Sequence, residues 1–287
     1  MSTTYPSDLT DAEWDCVQRY LPLASTRGRP RIHPFRRILD AIFYVLRTGC
    51  PWRYLPSNFP AWQTVFYHFR RSRLKGIWHR LYTALHRAER ERVGRHPDPS
   101  AAILDSQSVK TVEESAGIRG YDAHKCVKGR KRHLLVDTLG LPIASYVTPA
   151  DVHDTIGARK LLGGLAFFVP RLKQIWADAA YRGKELADWS QQQGSGWKLE
   201  VVERECGTHG FSVQPRRWVV ERSFAWLIRN RRLAKDYERR VQTSEPLIEV
   251  AAVRLVLRRL AGHMPRTAAR HPGRRSPSSR LRAARRR

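Results

Sequence analysis

The chain has 287 residues, 41% of them hydrophobic, which suffices for one or two folded domains with a sizeable core. Its 53 Lys and Arg outnumber 26 Asp and Glu, and the net charge of +27 favours nucleic acid over a membrane surface as the partner. A membrane or secreted protein is not expected, because no apolar run approaches the roughly 18 residues of a span and the N-terminus does not resemble a signal peptide. Four scattered cysteines indicate a reduced cytoplasmic protein, and only Cys206 with His209 hints at zinc, without a second ligand pair.

The first hundred residues are predicted to be helical. Thr10 and Glu13 have the spacing of a capping box, which marks the start of a helix. A second helix, rich in Ile and Val, is expected to end at Gly49. Two further helices are predicted to begin at about Ala61 and at about Gly76.

The helix that begins at about Ala61 is the candidate DNA-contacting element of this region. Between Asp40 and Glu89 there is no acidic residue and there are eight Lys or Arg, whereas a merely solvated face normally mixes both signs. A helix that presents its polar face to DNA is therefore favoured, although the connection before it is longer than that of a simple helix-turn-helix. The residues of that polar face are Gln63, Thr64, Tyr67, His68, Arg70 and Arg71.

The pattern changes after a linker at residues 92–100, which is rich in Pro and Gly. Five short apolar segments of strand length follow, with helical patterns between the later ones and a capped amphipathic helix from Thr243. Three successive strands and then alternating helices and strands indicate a mixed α/β domain. We predict a helical DNA-binding domain over 1–96, an α/β domain over 97–261, and a disordered tail over 262–287 with nine arginines and no acid.

A few carboxylates stand out against this basic background. Asp105 is predicted to end the first strand of the α/β domain, and Asp178 a later one. Because ligands bind outside the carboxyl ends of strands in open α/β sheets, these side chains could meet at one edge. Two such charges repel each other unless they are protonated or bridged by a cation, for which Mg²⁺ is the natural choice. Glu221, in an arginine-rich helix, could complete the site or could simply pair with Arg217 at i,i+4.

Three other aspartates are weaker candidates for such a site. Asp137 is the rival for the second position, but the sequence Asp-Thr-Leu-Gly is typical of a hairpin turn. Asp151 and Asp154 precede a predicted helix and are better explained as N-caps. For Glu221 considered alone, the salt bridge is the simpler interpretation.

The segments "ILDSQSVK", "GRKRHLLVDTLGLP", "WADAAYRG" and "RRWVVERSFAWLIRNRRL" resemble the blocks of bacterial insertion-sequence transposases of the Asp-Asp-Glu class. The N-terminal "LTDAEWDCVQRYLP" and "FRRILDAIFYVLRTGCPWRYLPSNFPAWQTVFYHFRR" are similar to the N-terminal domain of the same family, so the resemblance runs from about residue 9 to about residue 260. It implies a compact ribonuclease-H-like α/β domain, a mixed sheet flanked by helices, preceded by an all-α DNA-binding domain. The implied acidic triad is Asp105, Asp178 and Glu221.

The resemblance also implies a reaction and its partners. The reaction is strand cleavage at the inverted repeats of an insertion element and transfer into target DNA, with two Mg²⁺ ions, or Mn²⁺ as a substitute. Asp105 would bridge both ions, and Asp178 and Glu221 would each hold one. The partner is double-stranded DNA, bound by a homodimer or higher homo-oligomer in a synapse at the bacterial nucleoid, and no membrane is involved.

Basic residues near the triad are the predicted contacts to the DNA backbone, which position a duplex without reading its sequence. They are Arg217, Arg222 and Arg229 around Glu221, and Lys128, Arg130, Lys131 and Arg132 in a basic hairpin. Many relatives carry a Tyr-Arg-Glu-Lys pattern, but here Gln214 replaces the Tyr and Ile228 the Lys, with Arg229 beside it as a candidate substitute. Two alternatives remain: a non-catalytic transposase-derived DNA-binding protein, and a basic packaging or RNA-binding protein with purely structural acids.

Overall fold

The computed structural model describes residues 5–21, 32–113, 117–194, 196–202 and 216–262. Cys206, His209, Gln214 and residues 263–287 of the basic tail lie outside the described residues. The helical region comprises α1 (Asp11–Gln18), α2 (Phe35–Thr48), a 3₁₀ turn (Trp52–Tyr54), α3 (Trp62–Leu74) and α4 (Ile77–Arg92).

The local signals that predicted these helices are confirmed. Thr10 accepts a hydrogen bond from the backbone N–H of Glu13, whose carboxylate accepts one from the N–H of Thr10, which completes the capping box. Gly49 ends α2 with φ of 74°, a left-handed conformation that glycine adopts without strain. Gly76, also left-handed, separates α3 from α4.

The second region alternates strands and helices, and the predicted mixed α/β class is confirmed. Its elements in chain order are β1 (Ala101–Lys110), β2 (Gly120–Asp122), β3 (Val127–Asp137), β4 (Pro142–Pro149), α5 (Asp154–Leu162), β5 (Gln174–Ala177), α6 (Lys184–Gln191), β6 (Lys198–Val201), α7 (Arg217–Ile228), α8 (Arg231–Ala234) and α9 (Val241–Ala261). The short strand β2 was not predicted. The N-cap of α5 is His153, which accepts from the N–H of Thr155, so the prediction of an aspartate cap was wrong.

The sheet has the order β2-β3-β1-β5-β6, and β4 also pairs with β3. The pairs β1–β3, β2–β3 and β3–β4 are antiparallel, whereas β1–β5 and β5–β6 are parallel. The strand β1 therefore lies between an antiparallel and a parallel neighbour. This position brings Asp105 of β1 and Asp178, which directly follows β5, to the same end of the parallel pair.

Helix α9 closes the fold and begins at Val241, two residues before the predicted cap, with no side-chain cap at Arg240. Pro246 lies inside it and has no N–H to offer the carbonyl of Gln242 four residues earlier. Arg73 of α3 supplies a replacement donor, with 2.9 Å from its Nη1 to the Gln242 oxygen. The proline thus leaves a carbonyl that an arginine of the helical region satisfies.

Two hydrophobic clusters lie on opposite faces of the sheet. One contains α5 and α6 packed on residues such as Leu104 and Leu135. The other joins α1–α4, α7 and α9 to the face that carries Ile103 and Leu134, so the helical region and one sheet face share a core. Within the described residues, no helix is both long and apolar enough to cross a membrane.

Candidate active site

Asp105 and Asp178 are brought together by the parallel pairing of β1 and β5. The register pairs Ile103 with Trp176, so continuing it by two residues sets Asp105 opposite Asp178. Asp178 directly follows β5, as predicted, and accepts a hydrogen bond of 3.0 Å from the N–H of Ala180. The prediction that Asp105 ends its strand was wrong, because β1 continues to Lys110 through antiparallel pairing with β3 alone.

Glu221 comes to this edge on α7, which packs across β1 and β3. Val220 and Phe224 bury the inner face of the helix. The buried Ser223 hydroxyl donates to the Gly140 carbonyl at 2.7 Å, which fixes the helix against the β3–β4 turn. Glu221 lies on the outer side, with 57% of its side chain exposed.

Arg217, one helical turn before Glu221, lies between the carboxylates of Glu221 and Asp178. Its Nη2 is 3.4 Å from Oδ2 of Asp178, and its Nε is 3.7 Å from Oε1 of Glu221. Both distances exceed that of a good charge-assisted hydrogen bond. Among the described residues the buried Nε has no hydrogen-bond acceptor. The i,i+4 pair considered from the sequence therefore exists, but the same guanidinium also reaches Asp178.

Asp105 has an unusual electrostatic environment. It is half-buried by surface area, yet protein atoms enclose it closely enough that removal from water, followed by the charge of Asp178, raises its pKa to about 7. The N–H of Ser106 and the charges of Arg217 and Lys125 act in the opposite direction without overcoming burial. An additional cation beside Asp105 would favour its charged form.

Two residues were not predicted to lie near Asp105. Lys125, in the turn before β3, brings its Nζ to 3.4 Å from the Ser106 carbonyl and acts on the charge of Asp105. The hydroxyl of Tyr181 is buried without a hydrogen-bond partner in the described structure, and burial with the charge of Asp105 raises its pKa well above its ordinary value. The only sequence signal was proximity, since Tyr181 follows Asp178 by three residues.

The acidic rivals have structural roles. Asp137 is fully buried in the β3–β4 turn, where it accepts hydrogen bonds from the N–H groups of Leu139 and Leu141 and contacts His86 and Arg90 of α4. Asp154 lies on the sheet face opposite Asp105. Its Oδ1 is 3.2 Å from Nζ of Lys131 and 2.7 Å from the Ser106 hydroxyl.

The predicted DNA contacts fall into two groups. On α3, the side chains of Gln63, Tyr67, Arg70 and Arg71 are exposed and those of Thr64 and His68 half-exposed, so the predicted polar face does face solvent. Arg229 and Lys128 are also exposed. Arg222 is half-buried between the rings of Trp218 and Trp226, 4.2 and 4.7 Å from their centroids. Ile228, at the expected Lys position, is 41% exposed.

The basic hairpin is corrected by the structure. All four cations lie in strand β3, where Lys128 is exposed but Arg130, Lys131 and Arg132 are buried. Arg130 donates to the Glu238 carbonyl at 2.7 Å, and Arg132 to the Leu233 carbonyl at 2.6 Å. These three cations therefore do not face DNA in this structure; they satisfy carbonyls and acids within the fold.

The described residues hold no preassembled metal site. Among the described residues, no three His, Cys, Asp or Glu side chains are grouped closely enough to hold a metal ion as they stand. The guanidinium of Arg217 lies beside Asp178 and Glu221, and the charge of Lys125 acts on Asp105. The roles of these residues in binding metal or DNA stay predictions.

Comparison with known proteins agrees with this architecture. A family model described as "Transposase DDE domain" matches residues 96–256, and one described as "Putative transposase of IS4/5 family" matches residues 9–82. A protein of Burkholderia cepacia named "Putative transposase for insertion sequence element IS402" is 30% identical over 120 residues, which cover 39% of this chain and 55% of that protein. The chain thus spans about half the length of this curated relative. Because the first model covers more than half of the chain, the chain belongs to the DDE transposase family, with a ribonuclease-H-like α/β domain after a helical N-terminal region.

Proposed function

We propose that this protein is a transposase that cleaves DNA at the inverted repeats of an insertion element and transfers the strands into target DNA. The observation that carries the proposal is that the parallel pairing of β1 and β5 sets Asp105 opposite Asp178. Glu221 lies near Asp178, because the Arg217 guanidinium contacts both carboxylates. This arrangement supplies three carboxylates at one edge of the sheet. Membership of the DDE transposase family supports the same reading.

The donor set fits a hard divalent cation. Carboxylate oxygens without nitrogen or sulfur ligands suit Mg²⁺, with Mn²⁺ as a substitute. The pKa of Asp105, which burial and then Asp178 raise to about 7, marks a place where a cation would be stabilising. We assign Asp105, Asp178 and Glu221 as the ligands. When bound, the metal would stabilise negative charge on the reacting phosphate and help to activate water or a DNA 3′-hydroxyl.

The chain's own residues would hold the DNA. Arg217, Arg229 and Lys128 can contact backbone phosphates, and the exposed face of α3 would contact the inverted repeats. Recognition is thus assigned to residues 1–96, chemistry to 97–261 and non-specific attraction to the tail, 262–287. A homodimer or larger homo-oligomer would join two ends in a synapse at the nucleoid.

The proposal is tested by measuring end cleavage and end binding on the same protein preparation. Glu221→Gln, Asp105→Asn and Asp178→Asn should each lower cleavage by several orders of magnitude while DNA binding persists, because the three act as one unit. Glu185→Gln is the matched control, since that exposed acid also pairs with an arginine, Arg159, at 2.8 Å but lies outside the site. It should cleave normally.

The metal requirement is tested in the same assay. Cleavage should occur in Mg²⁺ or Mn²⁺ and stop in EDTA or Ca²⁺. Undiminished cleavage in EDTA, or near-normal cleavage by Glu221→Gln, would overturn the metal assignment. End binding by the unaltered protein without cleavage in any divalent metal would favour the alternative, a non-catalytic DNA-binding protein.

A further inference from the structure

Arg217 is the resident counter-cation of two carboxylates that we assign as metal ligands. Its guanidinium contacts Asp178 at 3.4 Å and Glu221 at 3.7 Å, but neither contact is short. Its buried Nε donates no hydrogen bond to any described residue. The guanidinium of Arg217 thus has opposite charges beside it but makes poor hydrogen bonds. Moving it to a better hydrogen-bond acceptor would therefore cost little free energy.

The neighbouring arginine is held differently. The guanidinium of Arg216 lies 4.1 Å from the centre of the Trp176 ring, and its Nη1 is 3.9 Å from Glu200 on β6. Two adjacent arginines at the start of α7 therefore point to different acids. Of these two arginines, Arg217 alone contacts Asp178 and Glu221, so Arg216 is a natural control.

We propose that Arg217 changes partners when DNA binds. Its guanidinium moves from Asp178 and Glu221 to a DNA phosphate, and the two carboxylates then become available to the divalent cation. Guanidinium and divalent cation compete for the same oxygens, because both need the negative charge of the same two side chains. A phosphate offers Arg217 a bidentate acceptor, which the present contacts do not. DNA and metal therefore favour each other's binding through this one residue.

The inference rests on the proposed metal site and has two measurable consequences. Without DNA, Arg217 opposes the metal, so removing it should tighten metal binding. With DNA, Arg217 links the two ligands, and by reciprocity each raises the affinity for the other by the same factor. An Arg217 that stayed on these carboxylates when DNA binds would give the first effect through its charge alone, but not the second.

The first experiment measures Mn²⁺ binding to the full chain by calorimetry without DNA. Arg217→Met should bind Mn²⁺ about tenfold more tightly than the unaltered protein, a typical coupling magnitude. Arg216→Met should stay within about twofold of the unaltered protein, since the same charge is lost beside different acids. Arg217→Lys, which keeps the charge, should bind like the unaltered protein, and circular dichroism of each variant checks the fold.

The second experiment measures the affinity of a fluorescent DNA end duplex in Ca²⁺ and in EDTA at equal ionic strength. For each protein, the dissociation constant in EDTA is divided by the one in Ca²⁺. This ratio should be about tenfold smaller in Arg217→Met than in the unaltered protein and unchanged in Arg216→Met. Equal Mn²⁺ affinities for Arg217→Met and the unaltered protein would overturn the partner exchange. So would an unchanged Ca²⁺ dependence of DNA binding in Arg217→Met.

Failure of the proposed function gives a different result. If Asp178→Asn leaves the Mn²⁺ affinity of the protein unchanged, or if Mn²⁺ does not bind, the metal site itself is wrong and the exchange falls with it. If Asp178→Asn weakens Mn²⁺ binding but Arg217→Met does not strengthen it, the metal site stands and only the exchange is overturned.

Discussion

Arg130 and Asp236 form an ion pair in the interior, with 3.1 Å between Nη1 and Oδ1 and 1% of each side chain exposed. The pair joins β3 to the segment between α8 and α9, and Arg130 also donates to the Glu238 carbonyl. A residue that looks like a DNA contact in the sequence is thus a link between distant parts of the chain. Lys128, two residues earlier on the same strand, is exposed, so replacing each of the two cations in turn separates a structural role from DNA contact.

Arg130→Met should destabilise the protein without a specific loss of DNA contact. Breaking a buried pair leaves an uncompensated carboxylate and costs about 3–5 kcal/mol. Lys128→Met should change the free energy of unfolding by less than about 0.5 kcal/mol, yet lower the salt slope of DNA binding by about one. Urea unfolding and salt titration of both variants check this. Equal stability losses would show that the burial of Arg130 contributes little.

Asp137 should contribute stability that disappears in acid. Burial alone would raise its pKa, but the hydrogen bond and charge of His86, the Leu141 N–H and the charge of Arg90 outweigh burial and hold it below the ordinary value. Because the unfolded pKa is about 3.9, the stabilisation is fully present above about pH 5 and is lost as the pH falls through the folded pKa.

Urea unfolding between pH 3 and pH 7 checks the role of Asp137. In Asp137→Asn this acid-dependent loss should shrink, because the titrating group is gone. Asp188→Asn, which changes an exposed acid of α6, should keep the full pH dependence. If both variants follow the unaltered protein, Asp137 is not the group responsible.

Gly157→Ala should destabilise the protein, although an alanine inside a helix is normally more stable than a glycine by about 1 kcal/mol. A Cβ at Gly157 would lie 2.1 Å from Cε1 of the buried His133. The His133 ring is held in place by a hydrogen bond of 2.9 Å between its Nε2 and the Thr148 hydroxyl. The overpacking should cost about 1–3 kcal/mol. Gly164→Ala meets nothing within 4 Å and should stay within about 0.5 kcal/mol. Thermal or urea melts compare the two.

The exposed face of α3 should dominate end recognition. Replacing Arg70 and Arg71 together by Ala should lower affinity for the inverted repeats and reduce the salt slope by about two. Lys173→Ala is the control, since this exposed lysine precedes β5, at the opposite end of that strand from Asp178. Fluorescence anisotropy at several salt concentrations measures both. If Lys173→Ala lowered the affinity for the inverted repeats equally, α3 would contribute to DNA binding only through the net charge of the protein.

Local patterns predicted most of the helices and strands because capping, apolar spacing and turn glycines act over a few residues. The meeting of Asp105 and Asp178 was also predictable, since each residue directly follows a short apolar segment, "AAIL" or "QIWA". The burial of Arg130 and Arg132 was not, because their acceptors lie 108 and 101 residues away in sequence. The double contact of Arg217 was half predictable: Glu221 lies one turn away, but Asp178 becomes a neighbour only through the tertiary fold.

Helix α9 covers α1 and packs along α4, although it is the last described element of the chain. During synthesis the apolar faces of α1–α4 emerge first and remain without this partner until residues 241–261 have left the ribosome. A nascent or prematurely released chain therefore cannot complete its N-terminal core. The proposed DNA-contacting face of α3, tied to α9 through Arg73 and Gln242, reaches its native setting only after residues 241–261 have been synthesised.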